Sequence, residues 1–156
     1  MKKLLVLAAQ VALLVACGVP QVHMMSHRPD MAATAAEEFA RVAFVEQDSR
    51  RAYDLTADEL KKAWTLDVFV KNMTELHHSR YPSQVAATDY EPIPGQPAMN
   101  VFLRGQNGDE EFYYRFTMLG TEERGYRVMG FFRGSGPYPP SPSRKSLGGN
   151  EGAPSR

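Results

Sequence analysis

Two histidines and three methionines near the start of the chain have side chains that can bind a metal ion: His23, Met24, Met25, His27 and Met31. Thioether sulfur and imidazole nitrogen are soft ligands that favour Cu(I). One interpretation is therefore a copper-binding protein that uses the first four of these residues. Nothing in the stretch fixes a coordination geometry, and a flexible spacer explains the same composition. No metal or cofactor is predicted, and copper binding stays an alternative.

Cys17 is the only cysteine of the chain, and it follows an apolar run. A disulfide within the chain is excluded because no second cysteine exists, and no fixed neighbouring base activates the thiol. Lys2 and Lys3 precede the apolar run, and small residues end it, which is the layout of a secretory signal peptide over residues 1–16. The sequence Leu-Val-Ala-Cys at residues 14–17 resembles the lipobox of bacterial lipoproteins.

This resemblance implies that the signal peptide is cut before Cys17 and that the thiol carries a diacylglycerol. Two or three acyl chains anchor a protein stably in a membrane. In Gram-negative lipoproteins, a residue other than aspartate after the cysteine is typical of export to the outer membrane. In this chain that residue is Gly18. The expected location is the periplasmic side of the outer membrane, with the inner membrane as an alternative. Residues 17–29 are predicted to form a flexible tether.

Charge and composition restrict the partners and the folded region. The chain has 18 basic and 18 acidic residues, and loss of Lys2 and Lys3 with the signal peptide leaves a net charge of −2. A nucleic-acid surface needs concentrated positive charge, so no nucleic-acid partner is predicted. Glycine, proline and serine supply 15 of the 23 residues from 134 to 156. Because such a segment buries little apolar surface, residues 135–156 are predicted to be a disordered tail.

The remaining region begins with a helical pattern. From Asp30 to about Val45, apolar residues recur at the helical period, and Asp30 is predicted to cap the helix. Further short helices are expected after a break at residues 47–49, after a capping box at residues 56–59, and after Thr65. The first half of the domain is therefore predicted to be several short helices.

The second half alternates between apolar and polar residues, as strands do. The pair Asn107-Gly108 favours a two-residue hairpin turn. That turn puts apolar residues on one face of the sheet, with Leu103 opposite Phe112, Val101 opposite Tyr114 and Met99 opposite Phe116. The other face receives Arg104 opposite Glu111, an attractive pair. A second hairpin follows at residues 120–125, and an earlier strand is predicted at residues 85–93.

These elements predict one α+β domain over residues 30–134, with short N-terminal helices packed on a curved antiparallel meander of three to four strands. The entry segment EEFARVAFVEQDSRRAYDLT, the closing strand GYRVMGFFR and the order of elements resemble the nuclear-transport-factor-like superfamily, also called ketosteroid-isomerase-like. Cystatin-like and other folds with helices and a meander share this order. The resemblance implies a cone-shaped sheet closing over a helix.

The resemblance also raises the possibility of catalysis, since some members of that superfamily hold an acid–base pair inside the cone. The candidates here are Tyr53, Asp67, His77, His78 and Tyr114. Asp67 is explained as a charge that favours a helix N-terminus, the histidines as partners of carbonyls at a helix C-terminus, and the inward aromatic rings as core. No catalytic residue is therefore predicted, and a small-molecule enzyme stays an alternative.

The function expected from the sequence is a lipid-anchored, non-catalytic binding or assembly module. We expect a filled cone, packed with Phe39, Val42, Phe69, Met73, Val101, Phe112, Tyr114 and Phe116. A protein partner or a second copy would then bind the outer sheet face, since aromatic and arginine side chains are enriched at interfaces. That face is predicted to carry Phe102, Arg104, Tyr113, Arg115 and either Arg127, Met129, Phe131 and Arg133 or their alternates.

Overall fold

The computed structural model describes residues 27–77 and 80–148. Four helices precede a five-stranded antiparallel sheet with the strand order β4-β3-β2-β1-β5. The helices are α1 (Pro29–Ala40), α2 (Ser49–Asp54), α3 (Asp58–Ala63) and α4 (Leu66–His77), and a π-helical turn (Arg41–Val45) continues α1. The strands are β1 (Gln84–Pro92), β2 (Ala98–Asn107), β3 (Glu110–Thr121), β4 (Gly125–Gly134) and β5 (Lys145–Ser146). The predicted α+β class, with helices packed on a curved antiparallel sheet, is confirmed.

The folded region begins slightly earlier than predicted. Helix α1 starts at Pro29, whose fixed φ suits the first helical position, and its N-cap residue Arg28 makes no side-chain cap. Asp30 is therefore not the cap but a first-turn carboxylate that pairs with Arg28 at 2.8 Å. The Arg28 amide also donates to the Tyr126 hydroxyl at 3.0 Å. The boundary between tether and domain thus lies before residue 30.

The short helices begin with different caps. The chain turns at Gln47, whose φ is 57°, and the Asp48 carboxylate then caps α2 by accepting from the Arg51 amide at 3.0 Å. The capping box predicted at residues 56–59 is wrong, because the Thr56 hydroxyl donates back to the Tyr53 carbonyl at 2.7 Å. Thr65 does cap the last helix, accepting from the Val68 amide at 3.4 Å.

The central hairpin has the predicted faces in a different register. Asn107 pairs with Glu110, so the two-residue turn is Gly108-Asp109 rather than Asn107-Gly108. Only Gly108 in this turn has a positive φ, 59°, as the first position of a type II′ turn requires. The register is displaced by two residues, and because side chains alternate with period two, each stays on its predicted face. The pairs are Leu103 with Tyr114 and Val101 with Phe116.

Strand β4 carries a bulge, which changes the side chains that face outward along the strand. The first predicted set faces outward before the bulge, and the alternate set faces outward after it. Thr117 pairs with Gly130 and Met118 with Val128, which leaves Met129 as the extra residue. Before the bulge, Tyr126 and Val128 face the helices. After it, Phe131 packs against the same core, and the Arg133 guanidinium lies 4.7 Å from the centre of the Phe112 ring.

The core lies between the helices and one face of the sheet. All eight residues expected to fill the cone are at most 2 % exposed. Phe39 in α1 meets Phe116 edge to face with ring centres 5.4 Å apart, and it also contacts Phe69 and Phe131. These side chains belong to one core cluster between the helices and the sheet.

Residues 135–148, called the strap here, differ from the disordered tail predicted for 135–156. The strap crosses the outer sheet face and ends in β5, which pairs with β1 at Asp89 and Tyr90. The Leu147 amide also donates to the Thr88 carbonyl at 2.9 Å. Residues 149–156 lie outside the described residues. Within the described ranges, no helix is long and apolar enough to span a membrane.

Candidate functional site

The end of α4 and the middle of β3 bring His77 and Tyr114 together. His77 Nε2 lies 2.8 Å from the Tyr114 hydroxyl, and the two side chains are 2 % and 0 % exposed. Phe44 and Tyr81 each lie 4.5 Å from the imidazole, measured between ring centres. The π-helical turn supplies Phe44, so this irregular turn helps to enclose the pair.

Burial determines the charge of this pair. It lowers the pKa of His77 to about 4, because a low-polarity environment disfavours imidazolium, and the positive charge of Arg133 acts in the same direction. Burial raises the pKa of Tyr114 above its ordinary value. Both groups are therefore neutral at pH 7, joined by one hydrogen bond.

The charged side chains near this pair form ion pairs with each other. Glu110 accepts a hydrogen bond from Arg80 at 3.0 Å and lies 3.9 Å from Arg133. Among the described residues, no carboxylate is a hydrogen-bond partner of His77 or Tyr114. The pair is therefore a neutral, buried hydrogen bond between an imidazole and a phenol, without a carboxylate partner among the described residues.

The other acid–base candidates lie elsewhere. The Tyr53 hydroxyl donates to the Trp64 carbonyl at 2.7 Å, and its ring packs against Phe69. Asp67 is exposed in the first turn of α4. His78 lies outside the described residues. The structure therefore brings together two of the five candidates and separates Tyr53 and Asp67 from them.

A surface groove offers concave space outside the cone. It has a volume of about 570 Å³ and runs between α1 and β4. Its wall mixes apolar side chains with charges of both signs: Met31, Ala35, Leu55, Tyr126, Asp30, Glu38, Arg124 and Arg127. The groove is open to solvent, and its mixed lining indicates no particular ligand.

The outer face of the sheet is the more distinctive surface because the strap lies on it. Phe102 is only 4 % exposed, although its side chain points away from the helices. The Tyr138 ring meets Phe102 edge to face at 5.3 Å, and the Arg144 guanidinium lies 3.8 Å from the centre of the Phe102 ring. The predicted open face is therefore partly covered by the chain itself.

Polar contacts hold the strap beside this aromatic centre. Ser141 donates to Glu91 Oε1 at 2.6 Å, and Ser143 bonds the same oxygen. These hydroxyls lower the pKa of Glu91, with a smaller contribution from Arg144. On the far side of the strap, Phe132 stays 54 % exposed.

The metal and lipid candidates lie mainly beyond the described part of the chain. Cys17, His23, Met24 and Met25 are outside it, whereas His27 is its first residue. Within residues 27–77 and 80–148, no group of three His, Cys, Asp or Glu side chains is placed to hold a metal ion.

Comparison with known proteins gives a negative result. No family model, curated protein or solved structure matches this chain. The likeness to the nuclear-transport-factor-like superfamily and to lipoproteins therefore rests on the residues and the order of elements alone.

Sequence reasoning missed the residues that organise the outer face. Glu91, Tyr138, Ser141 and Arg144 received no role, although Tyr138 and Arg144 interrupt a segment otherwise dominated by glycine, proline and serine. Single aromatic and basic residues in such a segment are the available signal, because they can anchor an extended chain on an aromatic surface.

Proposed function

We propose that this chain is a lipid-anchored protein of the cell envelope that works as a non-catalytic binding or assembly module. The observation that carries the proposal is the burial of His77 and Tyr114 within the core, because it restricts the access of a substrate to them. A partner would then bind the outer surface of the domain. The outer sheet face supports this role best because it combines a covered aromatic residue with an exposed one.

The anchor would be a diacylglycerol on Cys17, on the periplasmic side of the outer membrane. Arg28 supports this arrangement, because it fixes the start of the folded region to the end of the sheet where β3 and β4 meet. Besides contacting Tyr126, its guanidinium lies 2.5 Å from the Glu122 carboxylate. From Cys17 to Arg28 the chain spans at most about 40 Å when fully extended. That end of the sheet would therefore stay close to the membrane.

Lipid attachment is tested by growing the source with labelled fatty acid and comparing the chain with its Cys17→Ser variant. We expect label on the unchanged chain and none on the variant, because the serine hydroxyl does not replace the thiol in this modification. Label on both proteins, or on neither, would remove the anchor from the proposal.

Partner binding is tested in membranes with a photo-crosslinking residue at one of two exposed positions. Phe132 reports on the outer sheet face, and Lys71, whose side chain is 74 % exposed on α4, is the matched control. We expect a discrete crosslinked protein from position 132 only, and less of it in the Cys17→Ser variant. The same products from both positions would contradict a binding role for the outer face.

A further inference from the structure

The Phe102 ring forms a contact site on the outer face for aromatic and cationic side chains. Tyr138 and Arg144 contact its ring at the distances given above, so one aromatic residue holds an aromatic and a cationic side chain together. Aromatic-lined surfaces of this kind bind extended, proline-rich segments, which lose little conformational entropy on binding. The strap shows which kinds of side chain fit this site.

The strap has the features of a peptide ligand. Four of its residues are prolines, at positions 137, 139, 140 and 142. Glu91 accepts hydrogen bonds from its two serine hydroxyls, and the positive charge of Arg144 helps to lower the pKa of that carboxyl. Its last residues add a short strand to the free edge of β1, which is a common mode of peptide recognition.

Several contacts indicate that the strap is a replaceable occupant. Arg144 Nε is buried without a hydrogen-bond partner, which is a cost to the bound state. Only two residues of the strap form strand pairs. The aromatic surface also continues past the strap, since the Arg115 guanidinium lies 5.8 Å from the exposed Phe132 ring and 6.0 Å from Tyr138. A longer segment could therefore cover more of this face than the strap does.

We propose that the outer sheet face is a binding site for an extended, proline-rich segment of a partner protein that carries one aromatic and one basic anchor. In the isolated chain, the strap occupies this site. Binding of the partner displaces the strap, and the partner's anchors then contact Phe102 while its hydroxyl or basic groups contact Glu91. This inference rests on the proposed function for the existence of a partner, but the site itself is tested without a membrane.

The experiment uses a synthetic, fluorescein-labelled peptide with the sequence of residues 135–148 as the probe. Its binding is measured by fluorescence anisotropy to the full-length chain and to a full-length Tyr138→Ala/Arg144→Ala variant. We expect the variant to bind the probe about tenfold more tightly or better, because the unchanged strap competes at high effective concentration. A peptide with the same two positions changed to alanine is the matched control and should bind much more weakly.

A second change identifies the surface. Adding Phe102→Ala to the strap variant should abolish binding, and adding Glu91→Gln should weaken it, with circular dichroism showing that each variant is folded. Absence of saturable probe binding to the strap variant would overturn the proposal. Equal binding of the probe and its alanine control would overturn it as well. Loss of lipid labelling would refute the anchor and leave this result unchanged, so the two proposals fail separately.

Discussion

The two faces of the sheet are closed in different ways. On the inner face, the rings of Phe39, Phe44, Phe112, Tyr114 and Phe116 pack against each other and the helices, and each is at most 1 % exposed. On the outer face, a single segment of the chain covers Phe102 and leaves Phe132 largely in solvent. Both faces use aromatic residues, but only the inner face is sealed by several elements at once.

This difference separates residues that stabilise the fold from residues that are available for binding. Phe39, for example, contacts rings from α4, β3 and β4, so it cannot move without opening the core. The strap contacts the body at the Phe102 and Arg115 side chains, at the Glu91 carboxylate and along the edge of β1. Segments with so few contacts open at lower free energy than the core does. The outer face can therefore change its occupant while the fold persists.

Replacing one ring on each face gives the largest expected difference. Phe39→Ala should lower the free energy of unfolding by about 3–5 kcal/mol, because it leaves a cavity among four packed rings. Phe132→Ala, the matched control, should change it by less than about 0.5 kcal/mol. Urea unfolding followed by fluorescence measures both variants. A similar loss for the two would contradict the division between a structural and an available face.

The buried His77 on the inner face should make the free energy of unfolding depend on pH. The folded chain keeps His77 neutral down to a pKa of about 4, whereas the unfolded chain protonates it near 6.5. Lowering the pH therefore favours unfolding between these values, by roughly 1.4 kcal/mol per pH unit at most. We expect a loss of roughly 2 kcal/mol between pH 6.5 and 5, measured by urea unfolding.

The His77→Gln variant is the control for this pH dependence, since glutamine does not titrate. The window above pH 5 also avoids Asp30, Glu38 and Glu91, whose pKa values are lowered by their partners. If the variant and the unchanged chain lose the same stability over this window, His77 is not the group responsible.

Removing the Tyr114 hydroxyl tests whether the buried pair is structural. Tyr114→Phe leaves His77 Nε2 unpaired, because the Tyr114 hydroxyl is its hydrogen-bond partner in the described structure. The expected loss is about 1–3 kcal/mol, the cost of a buried unsatisfied polar group. The double variant His77→Leu/Tyr114→Phe should recover part of this loss because both polar groups are then gone. A double-mutant cycle with no coupling energy would refute the interaction.

Local patterns in the sequence predicted much of the fold. The helical period before residue 45 and the alternation in β2 and β3 are properties of neighbouring residues, so the elements and their faces could be derived. The register was wrong by two residues because Asn107-Gly108 favours a turn without fixing which two residues form it. Gly108 alone needed the positive φ. Since the displacement is even, the predicted core survived the error.

The contacts that the sequence could not predict join distant residues. His77 and Tyr114 were each singled out, but their hydrogen bond depends on how α4 ends over β3. Met129 became a bulge because of its pairing with β3, which no local pattern specifies. The strap was missed because its proline-rich composition lacks a hydrophobic period, and its partners Glu91 and Phe102 lie far earlier in the chain.

The smallest expected effect on stability comes from loosening the strap. Arg144→Ala should lower the free energy of unfolding by no more than about 1 kcal/mol, the size of a partly exposed cation–π contact. Lys145→Ala is the matched control, because Lys145 is the neighbouring exposed basic residue.

The informative measurement is hydrogen exchange, since the Leu147 amide is bonded to the Thr88 carbonyl only while the strap lies on the sheet. We expect Arg144→Ala to speed exchange at Leu147 while leaving the β2–β3 amides unchanged. Lys145→Ala should alter neither. If Leu147 exchanged as slowly as the β2–β3 amides in every variant, the strap would open only with the whole fold, and the distinction between the two faces would be lost.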